Sequence, residues 1–168
     1  AKLPNGLIDG LDDSKKLKPA RRKELFDKLK VCAFIGVGQS DVTEIDEINI
    51  LKATHLAMRR AVDNLSIRSD IALVDGNTEP RLPFQSECIV QGDNLSLSIA
   101  AASIIAKVSR DKIMANLAYS YPVYGWERNA GYGTSEHLKA IEKYGVTMEH
   151  RKTFAPIKKY LASKYSRF

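Results

Sequence analysis

The chain has 168 residues, 44% of them hydrophobic, enough for one globular domain with its own core and too apolar for a disordered polymer. No apolar run approaches the roughly 18–20 residues of a membrane-spanning helix, and two cysteines without CxxC spacing give no support for a zinc site. Twenty-six basic residues against twenty acidic ones leave a net charge of +6, which suits a polyanionic partner without requiring one.

In chain order, Gly6 to Gly10 leads into Asp12-Asp13-Ser14, which reads as a helix-capping cluster, and Pro19 suits an early helical position. Leu25, Phe26 and Leu29 recur at helical spacing up to Lys30. Val31 to Gly38, β-branched and apolar, predicts a strand. Asp41 and Glu44 have the form of a capping box opening a helix to about Leu65, with Ile50, Leu51, Ala53, Leu56, Ala57 and Val62 apolar. Ile71 to Val74 predicts a buried strand with an exit turn at Asp75-Gly76, and Ser86 to Val90 a second strand ending at Gln91-Gly92-Asp93. Ser98 to about Ser120 is the strongest helix. Pro122 to Gly133, rich in Gly and Tyr, predicts an ordered loop. Thr134 caps a helix to Lys143 that Gly145 stops, and Ala155 to Lys164 forms a final helix. Strands separated by helices predict an α/β fold in one domain, residues 1–168, with a C-terminal helical part over 134–168. Cys32 and Cys88, both in runs that read as strands, are expected to be buried free thiols in a reducing compartment.

Asp75 and Asp93 carry the clearest chemical signal. Each follows an apolar strand and is followed at once by Gly or Asn, and loops beyond strand ends of an α/β sheet are where ligands bind. If the two strands are neighbours, both carboxylates enter one cleft, where their repulsion is relieved by a hard cation such as Mg²⁺ or Mn²⁺. A purely local turn explains Asp75-Gly76-Asn77 and Asp93-Asn94 as well, because Asp and Asn favour turns.

An ordered set of motifs runs along the chain: Gly10-Leu-Asp-Asp-Ser-Lys-Lys-Leu17, Glu44-Ile-Asp-Glu-Ile-Asn-Ile50, Val74-Asp-Gly-Asn77, Gln91-Gly-Asp93, Ser98-Ile-Ala-Ala-Ala-Ser-Ile-Ile-Ala-Lys-Val108, Ala130-Gly-Tyr-Gly-Thr134 with His137, and His150-Arg151 with Phe154. In order and spacing the chain resembles ribonuclease HII. The resemblance implies a ribonuclease H-like fold, a mixed central sheet flanked by helices, with a C-terminal helical segment. It implies an endonuclease that hydrolyses RNA in RNA/DNA hybrids and at single ribonucleotides in duplex DNA, leaving 5′-phosphates, with two Mg²⁺ or Mn²⁺ ions. Asp75 and Asp93 match two of the four acidic metal ligands and are the catalytic candidates. Tyr132 matches the tyrosine that packs on the sugar at the RNA–DNA junction. Lys107, Ser14, Lys15 and, more weakly, Asn49 match the substrate-binding region. Taken alone, Tyr132 reads as a loop filler and Lys107 as a solvated lysine paired with Asp111. His137 and His150 read as structural or phosphate-proximal.

The family's Asp-Glu-x-Gly-Arg-Gly strand, which supplies the other two acids, is absent, so the chain is expected to be N-terminally incomplete. The resemblance further implies a monomer in the cytoplasm, with RNA/DNA hybrid and ribonucleotide-containing DNA as partners and no membrane. The alternatives are a ribonuclease HIII-like enzyme, which shares fold and chemistry, and a non-catalytic hybrid-binding remnant.

Overall fold

The computed structural model describes residues 1 and 9–165; the Gly6 end of the approach to Asp12 and residues 166–168 of the C-terminal part lie outside them. Helix α1 spans Pro19–Cys32, α2 Val42–Asp63, strand β1 Ile71–Asp75 and β2 Gln85–Ile89. A short α3, Gly92–Leu95, precedes the long α4, Leu97–Ser120; a 3₁₀ turn at Pro122–Tyr124, α5 at Trp126–Asn129, α6 at Ser135–Tyr144 and α7 at Ala155–Tyr165 complete the order. Helices precede and follow a parallel β1–β2 pair, an α/β arrangement as expected, although no helix separates these two strands.

The chain divides into two compact units, one of residues 1–40 and 51–109, the other of 41–50 and 110–168. In the first, Leu25, Phe26 and Leu29 of α1 meet Ala101, Ile104, Ile105 and Val108 of α4, with Leu25, Leu29 and Ile104 fully buried. Burying each such side chain contributes about 1.5–3 kcal/mol. In the second, Met114, Ala118, Tyr124, Trp126, Ala140, Ile141 and Ile157 form the core.

Local chemistry sets several element ends as the sequence foretells. Asp41 Oδ1 accepts from the Glu44 N–H at 2.9 Å while Glu44 Oε2 accepts from the Asp41 N–H at 3.0 Å, a reciprocal capping box. Thr134 Oγ1 accepts from the His137 N–H, and Gly145, at φ 87°, closes α6.

Four expectations need correction. Asp12-Asp13-Ser14 does not cap α1, whose N-cap is Lys18; Asp13 instead accepts from the Lys15 N–H at 2.9 Å and makes its own turn. Residues 31–38 are not a strand. No Gly or Pro interrupts α1 before Cys32, whose thiol donates to the Lys28 carbonyl one turn back, so Val31 is exposed and Cys32 is an exposed, not a buried, thiol. Beyond it the chain runs extended along the second half of α2, held by Asn64 donating to the Val37 carbonyl and Arg60 to that of Gln39, both at 2.8 Å. The helix predicted to run unbroken from Asp41 turns at Asn49, whose φ of 68° and ψ of 165° are not helical. β1 is apolar but not wholly buried: Val74 is 6% exposed, whereas Ile71 and Leu73 lie on the alternate, exposed face.

Gly36 and Gly38 make the close approach to α2 possible. A Cβ at Gly36 would fall 1.9 Å from the Ala61 carbonyl oxygen, and one at Gly38 2.1 Å from that of Ala57. Gly36→Ala must push backbone away from backbone and is expected to cost about 1–3 kcal/mol, read as a lower urea midpoint; an unchanged midpoint would refute this packing.

Candidate active site

The strands β1 and β2 pair in parallel with Asp75 opposite Ile89, so both chains leave the pair at the same end. From there Gln91 takes a left-handed conformation, φ 56°, and turns the chain into α3. Asp93 therefore lies in the first turn of a short helix, not at a strand end as the sequence suggested. Asp75 Oδ1 accepts from the Gly92 N–H at 2.9 Å, which ties the first aspartate to the residue before the second. Gly92 packs closely here: a Cβ would sit 2.5 Å from Ile99 Cδ1, so the end of that side chain would have to shift to admit one.

Asp93 is 6% exposed, and among the described residues its side chain meets the Asn94 amide at 3.1 Å and the Lys15 ammonium at 4.0 Å. Asp75 is exposed, and its Oδ2 has no hydrogen-bond partner among the described residues. A nearly buried carboxylate with so little neutralisation, next to a second one with an unused oxygen, fits a hard cation such as Mg²⁺. The fit is partial: among the described residues no third His, Cys, Asp or Glu joins them.

The Ser14–Lys16 turn lies against this pair. Ser14 is 3% exposed, and its hydroxyl is hydrogen-bonded to that of Ser103 on α4 at 2.8 Å. Arg22 donates to the Ser14 carbonyl, and Lys16 to the Asn94 side chain. Ser14 is thus the pin of the turn, and Lys15, 80% exposed along its side chain, is the group that reaches outward. Lys107, on α4, is half-buried.

Tyr132 and Asn49 belong to the second unit. Asn49 occupies the left-handed break in α2. Close to it in sequence, Asp46 accepts from the Lys152 N–H at 2.7 Å and from the Thr153 N–H and hydroxyl at 3.0 and 2.5 Å, fixing the start of the segment that leads into α7. Tyr132 follows Ala130 and Gly131, both at positive φ, 48° and 82°. The residue is 73% exposed while its backbone is held at both ends: its N–H donates to the Asn129 carbonyl, and its carbonyl accepts from the Thr134 N–H, each at 2.8 Å. Asn129, 6% exposed, braces the turn through the Gly131 N–H and the Tyr124 carbonyl.

Sequence reasoning left His137 and His150 without a definite role, and did not single out Trp126 or Asn129. The two histidines are 3% and 5% exposed, and Trp126 Nε1 donates to His137 Nε2 at 3.1 Å. His137 Nε2 also lies 3.2 Å from His150 Nε2, and His137 Nδ1 lies 2.9 Å from the Tyr132 carbonyl. Around them the Phe154 ring stands where a Cβ on Gly133 would meet it at 3.6 Å, and it carries the Arg151 guanidinium on its face. The motifs Ala130–Thr134, His137 and His150–Phe154 thus converge on one loop.

Known proteins share this fold. The crystal structure of ribonuclease H2 from Pyrococcus horikoshii OT3 superposes with a TM-score of 0.74 over 95% of this chain and 83% of that one, at 24% identity. The α/β fold is therefore that of a type 2 ribonuclease H. A ribonuclease HII family model matches residues 8–157. The ribonuclease HII of Paramagnetospirillum magneticum is 55% identical over 96% of this chain and 80% of its own length, and that of Wolbachia pipientis wMel 52% over 94% and 79%. The chain belongs to the ribonuclease HII family and is a ribonuclease H-type endonuclease. This is a metal-dependent family that acts on nucleic acid, and among the described residues no helix is long and apolar enough to cross a membrane.

The buried histidines give the fold an acid-sensitive point. Burial, and then the neighbouring His137, push the His150 imidazole down from its ordinary 6.5 to about 4. Because the unfolded chain takes up this proton first, its contribution is complete above pH 6.5 and is lost as pH falls from there through about 4. Thermal melts across that window are expected to show a steeper fall in Tm for the natural chain than for His150→Asn; parallel profiles would exclude His150 as a source of the slope.

Proposed function

We propose that the chain hydrolyses RNA within RNA/DNA hybrids and at single ribonucleotides embedded in duplex DNA, using Mg²⁺ or Mn²⁺ held in part by Asp75 and Asp93. The observation that carries this is the bond from the Gly92 N–H to Asp75, which sets one aspartate beside the other at the common exit of β1 and β2. Divalent cations bound there would supply an activated water and stabilisation of the leaving 3′-oxygen in an in-line displacement. Among the described residues, exposed Asp75 has one oxygen without a hydrogen bond, and buried Asp93 offers a second carboxylate with a single one. Lys15, beside Asp93, draws a phosphate toward the pair, while Ser14 fixes the turn that carries it. Lys107 on α4 and Asn49 at the break in α2 are taken as contacts to the nucleic-acid backbone. Tyr132 packs on the sugar at the junction, a contact that needs no base and suits sequence-independent cutting. The enzyme is proposed to work as a cytoplasmic monomer, in keeping with two free thiols.

The test is a DNA duplex containing one ribonucleotide, incubated with the full chain and Mg²⁺ or Mn²⁺, with binding and cleavage followed together. Metal-dependent incision on the 5′ side of the ribonucleotide is expected, abolished by chelation; binding without incision would favour a hybrid-binding protein over a nuclease. Asp75→Asn, which keeps an acceptor for the Gly92 N–H, should lose cleavage by at least about 10²-fold, a loss of transition-state stabilisation, while binding stays close to natural. An active Asp75→Asn enzyme would remove that residue from the chemistry. Tyr132→Ala should lower kcat/KM at a lone ribonucleotide by about tenfold, and unchanged kinetics would make the ring a loop filler.

A further inference from the structure

The hydrogen-bond roles around His137 leave one consistent pattern of protons. An indole N–H only donates, so His137 Nε2, which receives it, carries no proton. His137 therefore holds its proton on Nδ1 and donates it to the Tyr132 carbonyl at 2.9 Å. The Thr147 N–H donates to His150 Nδ1 at 3.0 Å, which leaves the His150 proton on Nε2, facing His137 Nε2 at 3.2 Å. Trp126 and His150 thus both present N–H groups to one acceptor, and together they fix the tautomer and the plane of the ring that grips Tyr132. The loop has need of a grip. Ala130 is held at φ 48°, where a Cβ costs about 1–2 kcal/mol.

We propose that His137 and His150 are positioning residues for cleavage at the RNA–DNA junction: the chain His150–His137–Tyr132 carbonyl sets where the Tyr132 ring stands against the sugar. The inference rests on the reading of Tyr132 as the sugar contact. Neither histidine touches substrate or reacting atoms in this scheme. Both act through the backbone of the loop, and the effect belongs in KM and kcat/KM at a single ribonucleotide.

Two measurements on the full chain test it. Long-range ¹H–¹⁵N spectra of the imidazoles at neutral pH should show His137 protonated on Nδ1 alone and His150 on Nε2 alone; a proton on His137 Nε2 would overturn the scheme whatever the kinetics. The second compares His137→Asn with His137→Ala. Both lose the Nε2 acceptor and with it stability, but the Asn amide can replace the Nδ1 donor to the Tyr132 carbonyl. Activity on the single-ribonucleotide duplex should stay within about threefold of natural in His137→Asn and fall about tenfold in His137→Ala, mainly through KM. On a Tyr132→Ala background, His137→Ala should have no further effect. Equal losses in the Asn and Ala variants, following their melting temperatures, would reduce His137 to a stabilising residue. If His137→Ala fails to fold, the Asn variant and the spectra still decide. If Tyr132→Ala is silent, the sugar-contact reading falls, and the spectra separately report whether His137 holds the loop.

Discussion

The first unit is organised by the parallel pairing of Ile71–Asp75 with Gln85–Ile89. Parallel strands leave a sheet at the same end, so a register that sets Asp75 opposite Ile89 brings the exit of one strand beside the exit of the other. The left-handed turn at Gln91, the glycine at position 92 and the hydrogen bond to Asp75 all follow from having to fit a second chain into that space. A non-glycine residue at positive φ is an unfavourable conformation, tolerated where the surroundings over-determine it. Here it lies one residue from a glycine packed closely against Ile99 and two from a buried carboxylate. A left-handed residue, a closely packed glycine and a buried carboxylate thus stand in successive positions.

The second unit makes a different use of the same principle. Ala130 and Gly131 turn the chain sharply, and the turn is held by Asn129, which takes the Gly131 and Tyr132 N–H groups, and by the Thr134 N–H and His137 on the Tyr132 carbonyl. Behind them Tyr124 stacks on Trp126 with ring centroids 5.2 Å apart and meets His150 edge-on at 4.9 Å. Buried polar networks are worth most when every member is satisfied, since an unanswered N–H in such surroundings costs about 1–3 kcal/mol. Asp46 extends the bracing by holding residues 152 and 153.

What the sequence disclosed was local. The Asp41–Glu44 box, the Thr134 cap and the Gly145 stop depend on residues three or four apart, whose geometry the helix itself imposes. The two strands were legible from their apolar runs, and Asp75 from its place after one of them. Asp93 was found as a residue but misplaced as an element end, because nothing in Gln91 announces a left-handed backbone. Residues 31–38 have a strand's composition, yet the helix running into them had no stop signal and the glycines within them served helix packing. The histidine network was out of reach: Trp126, His137 and His150 stand 11 and 13 residues apart, and only side-chain orientation in the fold makes them partners. Ser14 shows the converse case, a residue found by motif whose hydroxyl turns inward to Ser103.

The contrast within Tyr132, a backbone anchored at both ends in a residue that is largely exposed, has a thermodynamic consequence. The conformational entropy of the turn is already lost when the chain folds, so a ligand that packs on the ring has only the side-chain torsions left to restrict. That remaining cost is about 0.5–1.5 kcal/mol, far below the cost of ordering a loose loop of several residues. Contact with the ring can then be both specific in geometry and quick to release, since little has to be rebuilt when the ligand departs.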